Sequence, residues 1–309
     1  MPRRTLDLDA ALDLRLTLGP HLRRRGDPTM RLSRVAVARA TRTPDGPASL
    51  LVEVRGTRLE AEAWGPGADR VLDGLRALLG LDDDATGFEP GLHPVVADLA
   101  RRMPGLRLGR TGALLESLVP AILEQRVTGG EASSAFRGLV LRHGERAPGP
   151  LATSQRLRLQ PSPDALAALP YFAFHPFGVE QRRAEIVRRV AREASRLEAL
   201  VELPGSRLEV GAAAAARLRA YPGIGPWTAA EVTLRALGDP DAVSVGDFHL
   251  PHVVAYALAG EPRADDARML ELLEPWRGHR ARVVRLIEAS GIEPPKRGPR
   301  YAPPDRRSM

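Results

Sequence analysis

The segment Tyr221-Pro222-Gly223-Ile224-Gly225-Pro226-Trp227-Thr228-Ala229 leaves the chain few conformations. Two glycines flanking one apolar residue allow a tight reversal and bring N–H groups up to an anion with no side chain between. Pro226 suits the first position of a new helix, where a missing N–H costs nothing. The Ala-rich stretch 211–220 before the turn favours helix, and the helix after it is expected to end near Leu237-Gly238. The unit is helix, hairpin, helix. A helix start with free N–H groups and a positive dipole end binds phosphate, so one phosphate of a nucleic-acid backbone is its natural ligand.

Beyond Gly238, the turn Asp239-Pro240-Asp241 and a short apolar run lead to Gly246-Asp247 and the helical pattern Phe248-His249-Leu250-Pro251-His252-Val253-Val254. Asp247 reads as the N-cap of that helix. Capping alone accounts for such a residue about as readily as chemistry does. The same position permits more, because a helix dipole favours an ionised carboxylate by about 0.3–1 kcal/mol. A carboxylate beside a phosphate-binding hairpin can oppose a developing sugar cation.

The hairpin, its Trp227-Thr228-Ala229 continuation and the Gly246-Asp247 pair resemble the helix-hairpin-helix DNA glycosylases, specifically the 3-methyladenine DNA glycosylase II branch. Pro104-Gly105-Leu106-Arg107-Leu108, Ala121-Ile122-Leu123-Glu124-Gln125-Arg126-Val127 and Pro275-Trp276-Arg277 are similar to that branch's other landmarks, in the same order. The resemblance implies a mostly α fold with an N-terminal α+β domain. Residues 1–88 would form a small antiparallel sheet domain, and residues 89–292 the helical glycosylase region, two subdomains with the active-site cleft between them. Residues 293–309, rich in Pro and Arg, are expected to be disordered.

The implied reaction is hydrolysis of the N-glycosidic bond of an alkylated, cationic purine such as 3-methyladenine in double-stranded DNA, a step of base excision repair. The nucleotide must first be flipped out, at a cost on the order of a few kcal/mol. By this resemblance Asp247 is the catalytic carboxylate, and the amides of Gly223, Ile224 and Gly225 hold the DNA backbone with Thr228 beside them. Gln125 or Arg126 fills the gap left in the duplex, and His249 reaches toward DNA. Trp227 would meet the cationic base face-on, a cation–π attraction of roughly 0.5–2 kcal/mol, and Phe248 would be a second wall. The plainer readings are a hairpin core residue for Trp227 and an ordinary surface arginine for Arg126. Glu231, one helical turn beyond Trp227, and Arg285 stand where aromatic pocket residues are expected. They pair with each other, or Glu231 bonds Arg235 on the surface, or Glu231 attracts a cationic base or reads an amino edge. A monovalent cation on the main-chain carbonyls of Arg219, Tyr221 and Ile224 is also implied.

The formal charge of +7 and pI of about 10.7 favour a polyanionic partner. The absence of cysteine excludes disulfides, thiol nucleophiles, cysteine-ligated zinc and iron–sulfur clusters. His249 and His252 match no metal-ligand spacing, so neither a side-chain metal site nor an organic cofactor is expected. Lys296 is the one lysine, and it lies in the tail. A Schiff-base mechanism needs a lysine in the site, and this chain has Trp227 where bifunctional relatives carry theirs, so the reaction is expected to stop at base removal. No apolar run reaches the roughly eighteen residues of a membrane span, and the acid-interrupted start, Met1 to Asp9, reads as no leader. The expectation is a cytoplasmic, nucleoid-associated protein, and a monomer suits a DNA-scanning enzyme.

Elsewhere, Val35 and Val37, 51–54 and 59–63 alternate as strands between the turns at Pro44-Asp45-Gly46-Pro47 and Arg55-Gly56-Thr57, and 68–79 reads as a helix. Helical patterns follow around Leu114 to Leu123, from 132 to 141, from 265 to 273 and from 278 to 289. Tyr171, Phe172, Phe174 and Phe177 form an aromatic group that core packing explains better than base binding. Two alternatives remain: a glycosylase for a deaminated or bulky base, and a non-catalytic helix-hairpin-helix DNA-binding protein. Asp247 favours an enzyme, because a mere binder is weakened by a carboxylate near the phosphates.

Overall fold

The computed structural model describes residues 2–9, 12–24 and 26–295; the tail from 296 on, including Lys296, lies outside the described residues. Five antiparallel strands, β1 (Arg3–Asp7), β2 (Met30–Leu32), β3 (Ala36–Thr43), β4 (Gly46–Arg55) and β5 (Arg58–Trp64), form one sheet in the order β1-β5-β4-β3-β2. The three central strands lie where the alternation predicts them. The edge strands β1 and β2 escape such a reading because they are short and rich in arginine, which suits the rim of a sheet. Leu50, Val52 and Leu59 of the central strands pack on Leu14, Leu18, Leu72 and Leu75. The helix expected over 68–79 is two pieces, Ala68–Asp73 and Leu75–Leu78, interrupted at Gly74.

The helical part has two cores. In the first, helices Leu114–Leu123, Gly129–His143, Gln181–Arg192, Arg207–Arg219 and Pro226–Val232 bury Leu118, Ile122, Phe136, Val187, Leu218 and Val232. The Leu114–Leu123 helix starts at Ala113, which has no capping side chain; Glu198 supplies the cap from another helix, accepting the Leu114 and Leu115 N–H groups at 2.9 and 2.8 Å. Burial pushes the Glu198 carboxyl above its ordinary value, against the effect of those two donors. The aromatic group divides: Phe174 is fully buried and Phe177 packs beside it, whereas Phe172 is 63% exposed.

In the second core, helices Pro94–Arg102, Leu250–Ala259, Asp266–Leu273 and Arg280–Ser290 surround Val96, Val254, Met269, Trp276 and Ile287. The chain enters this core at Pro94, leaves to build the first core, and returns at Leu250. Arg282 and Asp83, both almost wholly buried, hold the last helix to the segment after the sheet through paired bonds of 2.7 and 2.8 Å. The two cores face each other across a cleft. Among the described residues no helix is long and apolar enough to cross a membrane.

Candidate active site

The hairpin forms as its residues require. Arg207–Arg219 ends, Gly223 takes φ +93°, and Pro226 opens the next helix with Gly225 as its N-cap. The left-handed backbone at Gly223 favours glycine, and a Cβ there would also press on the Ile186 side chain, 2.4 Å from its Cδ1. The Ile224 N–H donates to the Tyr221 carbonyl at 3.0 Å, which closes the turn and withdraws that amide from the anion-binding role expected of it. The N–H groups of Gly223 and Gly225 have no acceptor among the described residues, and a Cβ at Gly225 would meet nothing within 4 Å. That side of the hairpin is open. The helix after it changes character: Pro226–Val232 is α-helical, Thr233–Leu237 forms a π turn, and Gly238 at φ +66° ends it.

Asp247 sits just ahead of the Leu250–Ala259 helix, whose formal N-cap is His249. Its carboxylate nevertheless does the capping, with Oδ1 accepting the His249 and Leu250 N–H groups at 2.7 and 2.9 Å. Oδ2 accepts the indole N–H of Trp227 at 2.9 Å. Three N–H donors, one from the opposite wall, thus orient one carboxylate. The indole N–H of Trp227, the residue expected as a face for the base, is directed to Asp247.

The cleft has a volume of about 120 Å³ and lies between the two cores. Its polar lining is Glu231, Ser244, Asp247, His249 and Glu288. Glu231 accepts from Arg235 and from the Ser244 hydroxyl, and its side chain is only 14% exposed. Burial opposes the charge, but the Arg235 guanidinium and the Ser244 hydroxyl outweigh it and hold the carboxyl below the usual carboxylate range. Glu231 therefore pairs with Arg235, in the interior and not on the surface. Arg285 pairs with Glu288 at 2.6 Å and not with Glu231. Phe248, expected as a second wall, is 80% exposed and meets His249, a residue of the cleft lining, edge-to-face with ring centroids 4.9 Å apart.

Two expected DNA contacts are spent within the protein. Gln125 donates from Nε2 to the Gly223 carbonyl at 3.0 Å and to Oγ1 of Thr228 at 2.9 Å, and Thr228 is itself buried. This clasp joins the end of the Leu114–Leu123 helix to the hairpin, and neither residue's pattern announces it. Arg126, next in the chain, is exposed and adopts φ +53°, a left-handed conformation that costs an L-residue about 1–2 kcal/mol. Arg183, buried, donates to the Leu123 and Gly178 carbonyls, which brings the loop before Gln181–Arg192 to the same edge. Among the described residues no group of three or more His, Asp or Glu side chains is placed to hold a metal ion.

No protein-family model matches the chain. It is 32% identical over 182 residues to the probable bifunctional transcriptional activator/DNA repair enzyme AlkA of Mycobacterium tuberculosis, across 57% of this chain and 34% of that protein. It is 29% identical over 181 residues to the DNA-3-methyladenine glycosylase 2 of Escherichia coli, across 59% of this chain and 60% of that one. The chain thus matches between a third and three fifths of the length of these curated relatives. Its fold is that of the 3-methyladenine DNA glycosylase of Archaeoglobus fulgidus, with a TM-score of 0.75 at 19% identity, covering 94% of this chain and 98% of that one.

Proposed function

We propose that this chain, which by relatives and fold belongs to the helix-hairpin-helix DNA glycosylase superfamily in its 3-methyladenine DNA glycosylase II (AlkA-like) branch, is a monofunctional glycosylase that removes alkylated, cationic purines from double-stranded DNA. The observation that carries this reading is Asp247 in the lining of the cleft, held by three N–H donors and flanked by a hairpin with two amides that have no acceptor among the described residues.

A base within a duplex cannot present its glycosidic bond, so the nucleotide is extruded into the cleft. The free N–H groups of Gly223 and Gly225 and the start of the Pro226–Val232 helix receive the backbone phosphate. The C1′–N bond breaks with its electron pair going to the base, which leaves neutral because it began as a cation. The sugar is left as an oxocarbenium-like cation, and Asp247 stabilises it electrostatically. A water adds at C1′ on the face the carboxylate commands and loses its proton there. The bifunctional members of the family resembled carry their nucleophilic lysine where this chain has Trp227, which supports a reaction without a covalent sugar intermediate that leaves the strand intact.

A monovalent cation bound at the hairpin would be held by the carbonyls of Arg219, Tyr221 and Ile224. The Tyr221 oxygen accepts only the Ile224 N–H among the described residues and keeps a second lone pair, and neutral carbonyl oxygens suit a hard cation. Such an ion would add positive charge beneath the phosphate.

The test is release of free bases from methylated duplex DNA, identified by mass, for wild type beside Asp247→Asn. Methylpurine release should fall by about 10²–10³-fold in the variant, as when other preorganised electrostatic groups are lost, while DNA binding persists and neither protein nicks the strand. Equal release by both would reduce Asp247 to a cap.

A further inference from the structure

Within the glycosylase reading, on which this inference rests, we propose that Glu231 with Ser244 determines base specificity, selecting a flipped purine that offers an amino group at C6 over one that offers a carbonyl there. Four observations converge on this pair. Glu231 and Ser244 line the same cleft as Asp247 yet belong to opposite walls: Glu231 comes from the helix after the hairpin, Ser244 from the segment that leads to the catalytic carboxylate. Their 2.5 Å bond joins the two walls.

The second observation is the direction of each hydrogen. Ser244 spends its only hydrogen on Oε1 of Glu231, which leaves its oxygen facing the cleft as an acceptor. Arg235, which would be the natural donor in such a place, directs its guanidinium to the Glu231 carboxylate, the Glu231 carbonyl and the Pro20 carbonyl, and it does not line the cleft. The third is the company these groups keep. The other polar lining side chains are Asp247, Glu288 and His249, so His249 alone has a hydrogen to spare. The cleft is lined by acceptors and negative charge.

The fourth is burial. Glu231 is 14% exposed, and Arg235 keeps it ionised. A carbonyl oxygen brought against such a carboxylate sets acceptor against acceptor with no proton between. An exocyclic amino group, more acidic in a cationic base, donates into the same lone pairs. The space available, about 120 Å³, is roughly ten water positions, which is comparable to one purine. Sites built to bond a donor reject the analogue that lacks it far more strongly than apolar pockets do.

The test compares 3-methyladenine with 3-methylhypoxanthine in a duplex that carries both adenine and hypoxanthine; the two share methyl position and charge and differ only in the group at C6 and the N1 hydrogen that a C6 carbonyl brings. Both arise when that duplex is methylated and are quantified by mass, each release rate being divided by the spontaneous loss of the same base. Wild type should favour 3-methyladenine by about tenfold or more. Glu231→Gln, whose amide can donate to a carbonyl, should cut that ratio by about tenfold, and Glu231→Gln/Arg235→Gln should do the same with no buried cation left unpaired. The double variant carries the test if the single one melts early. A loss that is equal for both bases, leaving the ratio unchanged, overturns the inference while the glycosylase reading stands. Release of neither base by wild type overturns that reading, and the inference with it.

Discussion

The indole N–H of Trp227 and the carboxylate of Asp247 meet at 2.9 Å, and this one bond changes what each residue is for. A tryptophan judged from the chain is a flat apolar face; in the fold its ring edge also fixes the direction of the Asp247 carboxylate. Trp227→Phe separates the two roles, because it keeps a ring and removes the donor. Hydrogen bonds to charged groups contribute about 1.5–3 kcal/mol, so single-turnover base release is expected to fall by about tenfold or more, with DNA affinity unchanged. A rate within about twofold of wild type would show that the indole N–H does nothing for Asp247. The turn at Gly223 and the capping by Asp247 were legible in the sequence, since a left-handed turn and a helix start are demands met within a few residues. The Trp227–Asp247 and Gln125–Thr228 bonds were not, because their partners stand 20 and 103 positions apart and only packing brings them together.

The helix after the hairpin shows where element-level reading stops. Its start at Pro226 and its end at Gly238 follow from local residue chemistry, yet its second half is a π turn, Thr233–Leu237. The turn that follows is stapled by Asp239, which accepts the Asp241 N–H at 3.0 Å and the Thr233 hydroxyl at 3.1 Å while almost fully buried. Burial pushes this carboxyl up from 3.8 to about 6, against those two bonds. The folded chain therefore binds the proton more tightly than the unfolded chain. The stabilisation this implies is complete below the unfolded value and is lost as pH rises through the interval to about 6. A shift of roughly two units corresponds to about 3 kcal/mol at most. Asp239→Asn keeps an acceptor for Asp241 and places an amide donor against the Thr233 oxygen, whose hydrogen can turn to the Ala230 carbonyl. Denaturant melts should find the variant the more stable protein at pH 7.5 and equal to wild type near pH 3.5. A variant less stable at both pH values would mean that the charge at 239 is itself part of the staple.

At the scale of the whole molecule, two helical cores are joined so that the carboxylate from one meets the helix that follows the hairpin of the other, and a set of exposed arginines, one of them bonded to the hairpin at Pro222, offers a basic rim. Arg126, Arg182, Arg189 and Arg219 come from three segments, and none has a carboxylate partner among the described residues. The overall charge of +7 announces such a rim but not its place, which depends on how the cores pack. Within it Arg126 differs from the others. It occupies a left-handed conformation at the tip of the loop, and Gln125, the other candidate for filling the gap, is clasped to Thr228 and Gly223. A strained, exposed residue maintained at such an edge points to use. Its planar guanidinium is suited to stacking between bases once a nucleotide has left. Rim arginines that only neutralise phosphate should each lower the slope of log K against log salt by about one when removed. Arg126→Ala is expected to change that slope by clearly less than one while base release falls about tenfold, because the loss is of a stacking group that keeps the nucleotide extruded. Loss of a full unit of slope with unaltered release from bound DNA would return Arg126 to the rim, as one phosphate contact among several.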